Sequence, residues 1–148
     1  MNPEMKIIRE VSNQAENCYD DAVKLGDHAA YTLKALHRSQ MTSLETIAES
    51  TFKTSDVFDY IKKQTARFTY WRQGFPEDKT PDLGFGEHLK DYPEDDLAKR
   101  RDVICGPNKL NIRDIQERRR VHLLLMRQFI RQMVVEYEYQ VSLGSKKR

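Results

Sequence analysis

The positions Ile112, Ile115, His122, Met126, Phe129, Met133 and Tyr137 follow one another at steps of three, four or seven residues. Such spacing draws a single stripe along an α-helix. With Asn111 as a candidate cap and Gly144 as a stop, the helix would run for roughly 30 residues, or ~45 Å at 1.5 Å per residue. In a chain of 148 residues, an element of that length must span a whole small bundle or project from it.

The rest of the chain repeats the helical period and carries almost no strand pattern. Ile7, Ile8, Val11, Ala15, Cys18, Ala22 and Leu25 form a second stripe, which Gly26 is expected to end. Asp27 can cap a shorter helix through Ala29, Ala30, Leu33 and Leu36. Thr42 and Glu45 stand at capping-box spacing, and Leu44, Ile47, Ala48 and Phe52 are then expected to face inward from a third helix. Thr54 or Ser55 can open a fourth helix, whose stripe of Val57, Phe58, Ile61, Phe68 and Trp71 runs to about Gly74.

Between Gln73 and Pro93 the segment "QGFPEDKTPDLGFGEHLKDYP" concentrates proline and glycine and predicts a long loop over 73–93. Pro93 then suits the first position of a short helix that stops before "CGP". Residues 144–148 read as a basic tail. The expected architecture is an all-α, single-domain bundle of five or six helices over 1–148, with the first and last stripes packed together as its two longest helices. Ile115 and Phe129 are expected in its core.

Charge is unevenly spread along the chain. Lys and Arg balance Asp and Glu over residues 1–74, residues 75–102 carry −4, and residues 103–148 carry +6. The basic C-terminal third is an electrostatic footprint for an acidic partner such as nucleic acid. The longest apolar run falls far short of the ~18 residues of a membrane span, and "MNPEMKIIRE" lacks the apolar centre of a signal peptide. A cytoplasmic protein without membrane contact is therefore expected. Cys18 and Cys105 have no CxxC spacing and read as reduced, structural thiols.

Two short helices around "STFKTS" raise the possibility of a helix-turn-helix, with Ala48 as its small residue and Phe58 and Ile61 as inward anchors. Phe52 stands where the tight turn usually has glycine. Asp56 and Asp59, early in the supposed recognition helix, would repel phosphates, and Lys62, Lys63 and Arg67 come only later. An ordinary helical corner is the favoured reading.

"RSQMTSLETIAES" followed by "VFDYIKKQTARFTYW" resembles the small helical proteins of type III CRISPR ribonucleoprotein effectors, which often carry a Thr-Ser-Gln-Ile-Arg-like stretch opening a helix. Ser39 and Gln40 match it, Met41 replaces the aliphatic residue, and Arg38 and Thr42 stand where Thr and Arg are expected. The likeness covers residues 37–71. It implies a small all-helical subunit that packs beside guide-RNA-bearing backbone subunits and supports the guide–target duplex without catalysis.

The long helix offers residues for such a role. Arg113, Arg120, Arg127 and Arg131 share one face by their steps of four and seven, and Arg118 and Arg119 lie beside them. With Lys62, Lys63 and Arg67 of the earlier helix they are the candidate RNA contacts, since the planar guanidinium suits phosphate oxygens. Asp114, Glu117, Glu136 and Glu138 are close enough in sequence to pair with some of them instead, which would leave a merely solvated face.

Catalytic constellations are sparse. "GFGEHL" follows no strand and lacks the Lys and Ser/Thr of a nucleotide cradle. His28, His37, His88 and His122 show no metal-binding pairing, so no cofactor is expected. Arg118 and His122 in "RRRVH" resemble the pair of HEPN-type ribonucleases, but with three intervening residues instead of four to six. His122 also falls on the apolar stripe, as Tyr60, Tyr70 and Trp71 do on theirs, where core packing is the commoner role. The expected function is a non-catalytic RNA-associated subunit whose partners are guide or target RNA and other protein subunits, with no small-molecule substrate. A helix-turn-helix DNA-binding protein and a helical protein–protein adaptor are the alternatives.

Overall fold

The computed structural model describes residues 2–76 and 83–146. Over these residues the chain forms α1 (Pro3–Asn17), α2 (Tyr19–Leu33), α3 (Arg38–Ser50), α4 (Thr54–Arg67), α5 (Phe85–Cys105) and α6 (Ile115–Lys146). Two 3-10 turns, Ala35–His37 and Thr69–Arg72, link α2 to α3 and follow α4. No strand occurs among the described residues, and none of their helices is long and apolar enough to cross a membrane. The all-α, single-domain expectation is what the structure shows.

The 32-residue α6 is the axis of the bundle. Helices α1, α2, α3 and α5 pack against it, and α4 closes the outside between α3 and α5. Leu125, Met126, Phe129, Ile130, Met133 and Tyr137 of α6 are all at most 1% exposed, against Ala22, Ala29 and Leu33 of α2, Met41 and Leu44 of α3, and Leu89 and Leu97 of α5. The predicted pairing of the first and last stripes is present, but the first stripe is two helices. The chain bends at Cys18, whose N–H bonds back to Ala15 O at 3.0 Å. All its predicted apolar positions except Ile8 stay buried.

Gly26 does not end a helix, and Asp27 does not begin one. Both lie inside α2, where a Cβ on Gly26 would sit 2.6 Å from Glu136 Cβ and 2.7 Å from Met133 O. The glycine lets α2 and α6 approach too closely for any side chain. The reversal comes later, at Lys34, which adopts a left-handed φ of 53° and whose carbonyl accepts the Tyr137 hydroxyl. Leu36, expected to face inward, is 83% exposed in the 3-10 turn that follows.

Helix α3 starts at Arg38, so Thr42 is no cap; its Oγ1 donates to Arg38 O at 3.3 Å. Helix α4 ends at Arg67, and Trp71, predicted on its stripe, is buried in the second 3-10 turn.

The predicted loop over 73–93 is helical from Phe85 onward. Helix α5 begins at Phe85 and runs through Pro93, while residues 77–82 lie outside the described residues, as does the end of the predicted tail at 147–148. An interior proline costs about 3 kcal/mol. Phe85, Leu89, Leu97 and Ile104, each at most 1% exposed, offset this at roughly 1.5–3 kcal/mol apiece. Gly86 is needed for contact, since a Cβ there would lie 1.9 Å from Thr65 Oγ1.

The start of α6 also differs from expectation. Asn111 sits in a left-handed turn at φ 50°, and the cap is Asp114, whose Oδ2 accepts the Glu117 N–H at 3.0 Å. Ile115, in the first turn, is 63% exposed and is not core. The two positions should therefore separate in urea titrations. Phe129→Ala is expected to cost ~3–5 kcal/mol through lost burial and a residual cavity, and Ile115→Ala no more than about 0.5 kcal/mol.

Candidate nucleic-acid interface

The α3–α4 corner faces the N-terminal half of α6. Helix α3 ends as Thr51 turns extended, leaving its last carbonyls without helical partners. Arg127 of α6 binds one of them and the carbonyl just past the helix: Nε donates to Ala48 O and Nη2 to Thr51 O, each at 2.7 Å. The turn is tied further by Thr51 Oγ1, which accepts the Lys53 N–H at 3.0 Å and donates to Asp56 Oδ2 at 2.5 Å. Phe52, at the apex of this fixed turn, is 94% exposed.

A groove of about 970 Å³ separates the corner from α6. Phe52, Lys53, Thr54 and Ser55 form one wall; Glu117, Arg119, Arg120 and Arg127 line the other, over Leu123 and Leu124. Four cations and one carboxylate leave the lining at net +3.

The arginine row predicted on α6 is for the most part turned back onto the protein. Arg118 donates to Ile112 O at 2.9 Å and to Asp102 at 3.2 Å. Arg120 pairs with Glu4 and lies 4.0 Å from Glu117, and Arg131 forks onto Glu49 at 2.7 and 3.2 Å. Of the four acidic partners, Asp102, Glu4, Glu117 and Glu49, only Glu117 is expected from sequence, because the other three lie outside the helix. Arg113 and Arg119 are exposed, with no partner among the described residues. Of the candidates, the structure brings Arg119, Arg120 and Arg127 to the groove; Arg113, Arg118, Arg131, Lys62, Lys63 and Arg67 do not line it. Arg67 instead lies over the Phe68 ring, 5.7 Å from its centroid.

Phe52 and Lys53 were missing from the sequence-derived candidates. By its spacing Phe52 reads as part of the inward stripe of α3, four residues after Ala48, and the structure overturns that reading: α3 ends at Ser50, Thr51 turns extended, and Phe52 falls in the turn beyond, 94% exposed. A large apolar side chain within the polar "STFKTS" turn has no core to enter.

Within residues 37–71, Gln40 and its neighbours tie α3 to the segment after α4. Gln40 Oε1 accepts the Trp71 indole N–H at 2.6 Å, its Nε2 donates to Tyr70 Oη at 2.5 Å, and its carbonyl accepts the Tyr60 hydroxyl at 2.8 Å. Arg38 pairs with Glu138 of α6 at 3.1 Å. Tyr70 stacks on His37 with ring centroids 3.9 Å apart. Trp71 is fully buried, as its stripe suggested.

Arg118 and His122 are both engaged with other groups, Arg118 with Ile112 O and Asp102 and His122 with Pro93 and Arg101. His122 is 8% exposed; its Nε2–H donates to Pro93 O at 2.8 Å, so its Nδ1 lone pair faces Arg101 Nη1 at 3.3 Å. Burial holds the ring's pKa below its ordinary value, opposed by the Pro93 hydrogen bond and reinforced by the Arg101 charge. Burial likewise pushes both thiols, Cys18 and Cys105, above the usual range, and both are free. His28 and His88 meet with their Nδ1 atoms 3.4 Å apart, but no group of three His, Cys, Asp or Glu residues suited to a metal occurs among the described residues. No protein-family model, curated protein or solved structure matches this chain.

Two measurements follow from this geometry. Removing Arg127 leaves two carbonyls of the corner without their charged donor, so Arg127→Ala should cost about 1.5–3 kcal/mol in chemical unfolding, and Arg127→Lys should recover little because the fork is lost. For His122 the sign is fixed by its depressed pKa. The unfolded chain takes up a proton near pH 6.5 that the folded protein refuses, so the stability held by the neutral ring is present above that pH and is lost as pH falls below it. The stability difference between the parent and His122→Gln should shrink from about pH 7 to 5; a flat difference would show that the ring is not held neutral.

Proposed function

We propose that this protein is a non-catalytic, RNA-associated subunit of a larger cytoplasmic ribonucleoprotein assembly, and that the groove between the α3–α4 corner and α6 is its contact with the RNA backbone. The observation that carries this reading is the convergence of Lys53, Arg119 and Arg127 on one groove from two separate parts of the chain. The side chains of Lys53 and Arg119 are exposed, and neither side chain has a partner among the described residues. Arg127 is bound to neutral carbonyls and not to a carboxylate, so its charge is not cancelled. Phosphates are the acidic groups that such a row neutralises without reading sequence.

Two further observations support the reading. The basic C-terminal third, residues 103–148 at +6, contains α6, and the helix itself carries six cations against three carboxylates. The resemblance of residues 37–71 to small helical proteins of type III CRISPR effectors falls on α3, α4 and the following turn, which include one wall of the groove. In that reading the protein supports RNA carried by neighbouring subunits.

The test is fluorescence anisotropy with labelled RNA across a salt series, using the parent and a Lys53→Ala/Arg119→Ala double variant. Both side chains are exposed, so unfolding curves should overlay. The double variant should bind more weakly whatever the base sequence, and the slope of log affinity against log salt should fall by about 1.4 for single strands at ~0.7 per contact. An unchanged slope, or a parent that does not bind RNA at low salt, would overturn the assignment.

A further inference from the structure

Resting on that reading, we propose that the groove accepts single-stranded RNA, with one unpaired base stacked on the ring of Phe52. Phe52 is the most exposed of the large hydrophobic residues among those described, at 94%. Its turn is held on both sides by hydrogen bonds, from Arg127 to Thr51 O and from the Lys53 N–H to Thr51 Oγ1. A ring on a pinned turn meets a base with less ordering cost than one on a free loop.

A nucleotide offers a flat apolar base and an anionic phosphate on the same unit, so a site that holds both needs an aromatic face and a cation side by side. Phe52 and Lys53 are consecutive, and Arg119 and Arg127 stand on the opposite wall. In a duplex each base has both faces covered by its neighbours, which leaves phosphates as the accessible surface and nothing for Phe52 to stack upon. Stacking is indifferent to base identity because every base has a π-face. The groove would then hold RNA of many sequences while discriminating against paired RNA.

A protein partner that used Phe52 as an apolar anchor would also meet a groove at net +3 and would have to be acidic. It would not discriminate between RNA forms, and this separates the two occupants.

The experiment measures binding of a short oligouridylate, a duplex of equal length and an abasic strand of equal length to the parent, Phe52→Ala and Phe52→Trp. The parent should prefer the oligouridylate to the duplex. Phe52→Ala should weaken oligouridylate binding roughly 5- to 150-fold, the range for losing one base–aromatic stack, with no change in salt slope because no charge is removed. Phe52→Trp should restore binding, and on the abasic strand all three should bind alike. If Phe52→Ala binds the oligouridylate as the parent does, or loses duplex and abasic binding equally, the stacking inference is overturned. The backbone-contact reading stands in that case provided the Lys53→Ala/Arg119→Ala variant still loses salt dependence. A parent that binds no RNA but captures an acidic peptide through Phe52 overturns both.

Discussion

The close contact between α2 and α6 sets the positions of the other helices. Gly26 removes the side chain at the point where the backbone of α2 meets Met133 O and the Glu136 side chain. With α2 drawn in at that point, Lys34 reaches the Tyr137 hydroxyl, and the positive-φ turn at Lys34 sends the chain into α3 along the same axis. At Lys34 the positive φ is combined with an extended ψ of −170°, a conformation that costs an L-residue about 1–3 kcal/mol. Capture of its carbonyl by a buried tyrosine compensates for part of that cost. The α3–α4 corner, and with it one wall of the groove, is positioned by this sequence of contacts.

The arginines of α6 serve the fold in unequal degrees. Arg120–Glu4 and Arg131–Glu49 are solvent-exposed pairs, with side-chain exposures between 39% and 50%. Such pairs contribute about 0–1 kcal/mol, so exchange of a carboxylate for a phosphate costs the fold little. Arg127 is different. Its fork completes the C-terminal end of α3, where carbonyl lone pairs and the negative end of the helix dipole favour a cation. It supplies charge to the groove only while it also holds the corner, which links the integrity of the turn to the potential of the site.

Polar groups in the interior follow the same logic. His122 bridges α6 to the backbone of α5 at Pro93, and Gln40 joins α3 to Tyr60, Tyr70 and Trp71. Each side chain has its own polar atoms engaged across a helix junction. The sequence pattern that placed His122 and Trp71 on inward stripes was a sound guide to burial, because the helical period decides which side of a helix a residue occupies before its partner is known.

The sequence by itself determined the helical class, the length of α6, the inward faces of α1, α2, α4 and α6, and the concentration of positive charge in the last third. These are local properties: a stripe at 3.6-residue spacing must be covered whatever covers it, and charge adds up along the chain. Tertiary structure decided the rest. Gly26, Gly86 and Pro93 carry strong punctuation signals, yet all three lie within helices, because contacts with α6, with Thr65 and with the core outweigh local preference. The arginine row was legible as a face but not as a surface. Its partners Glu4 and Glu49, and the carbonyls of Ala48 and Thr51, come from segments more than 70 residues away. The groove exists only where α6 passes the α3–α4 corner, and Phe52 becomes conspicuous only once every surface that could have covered it has been placed elsewhere.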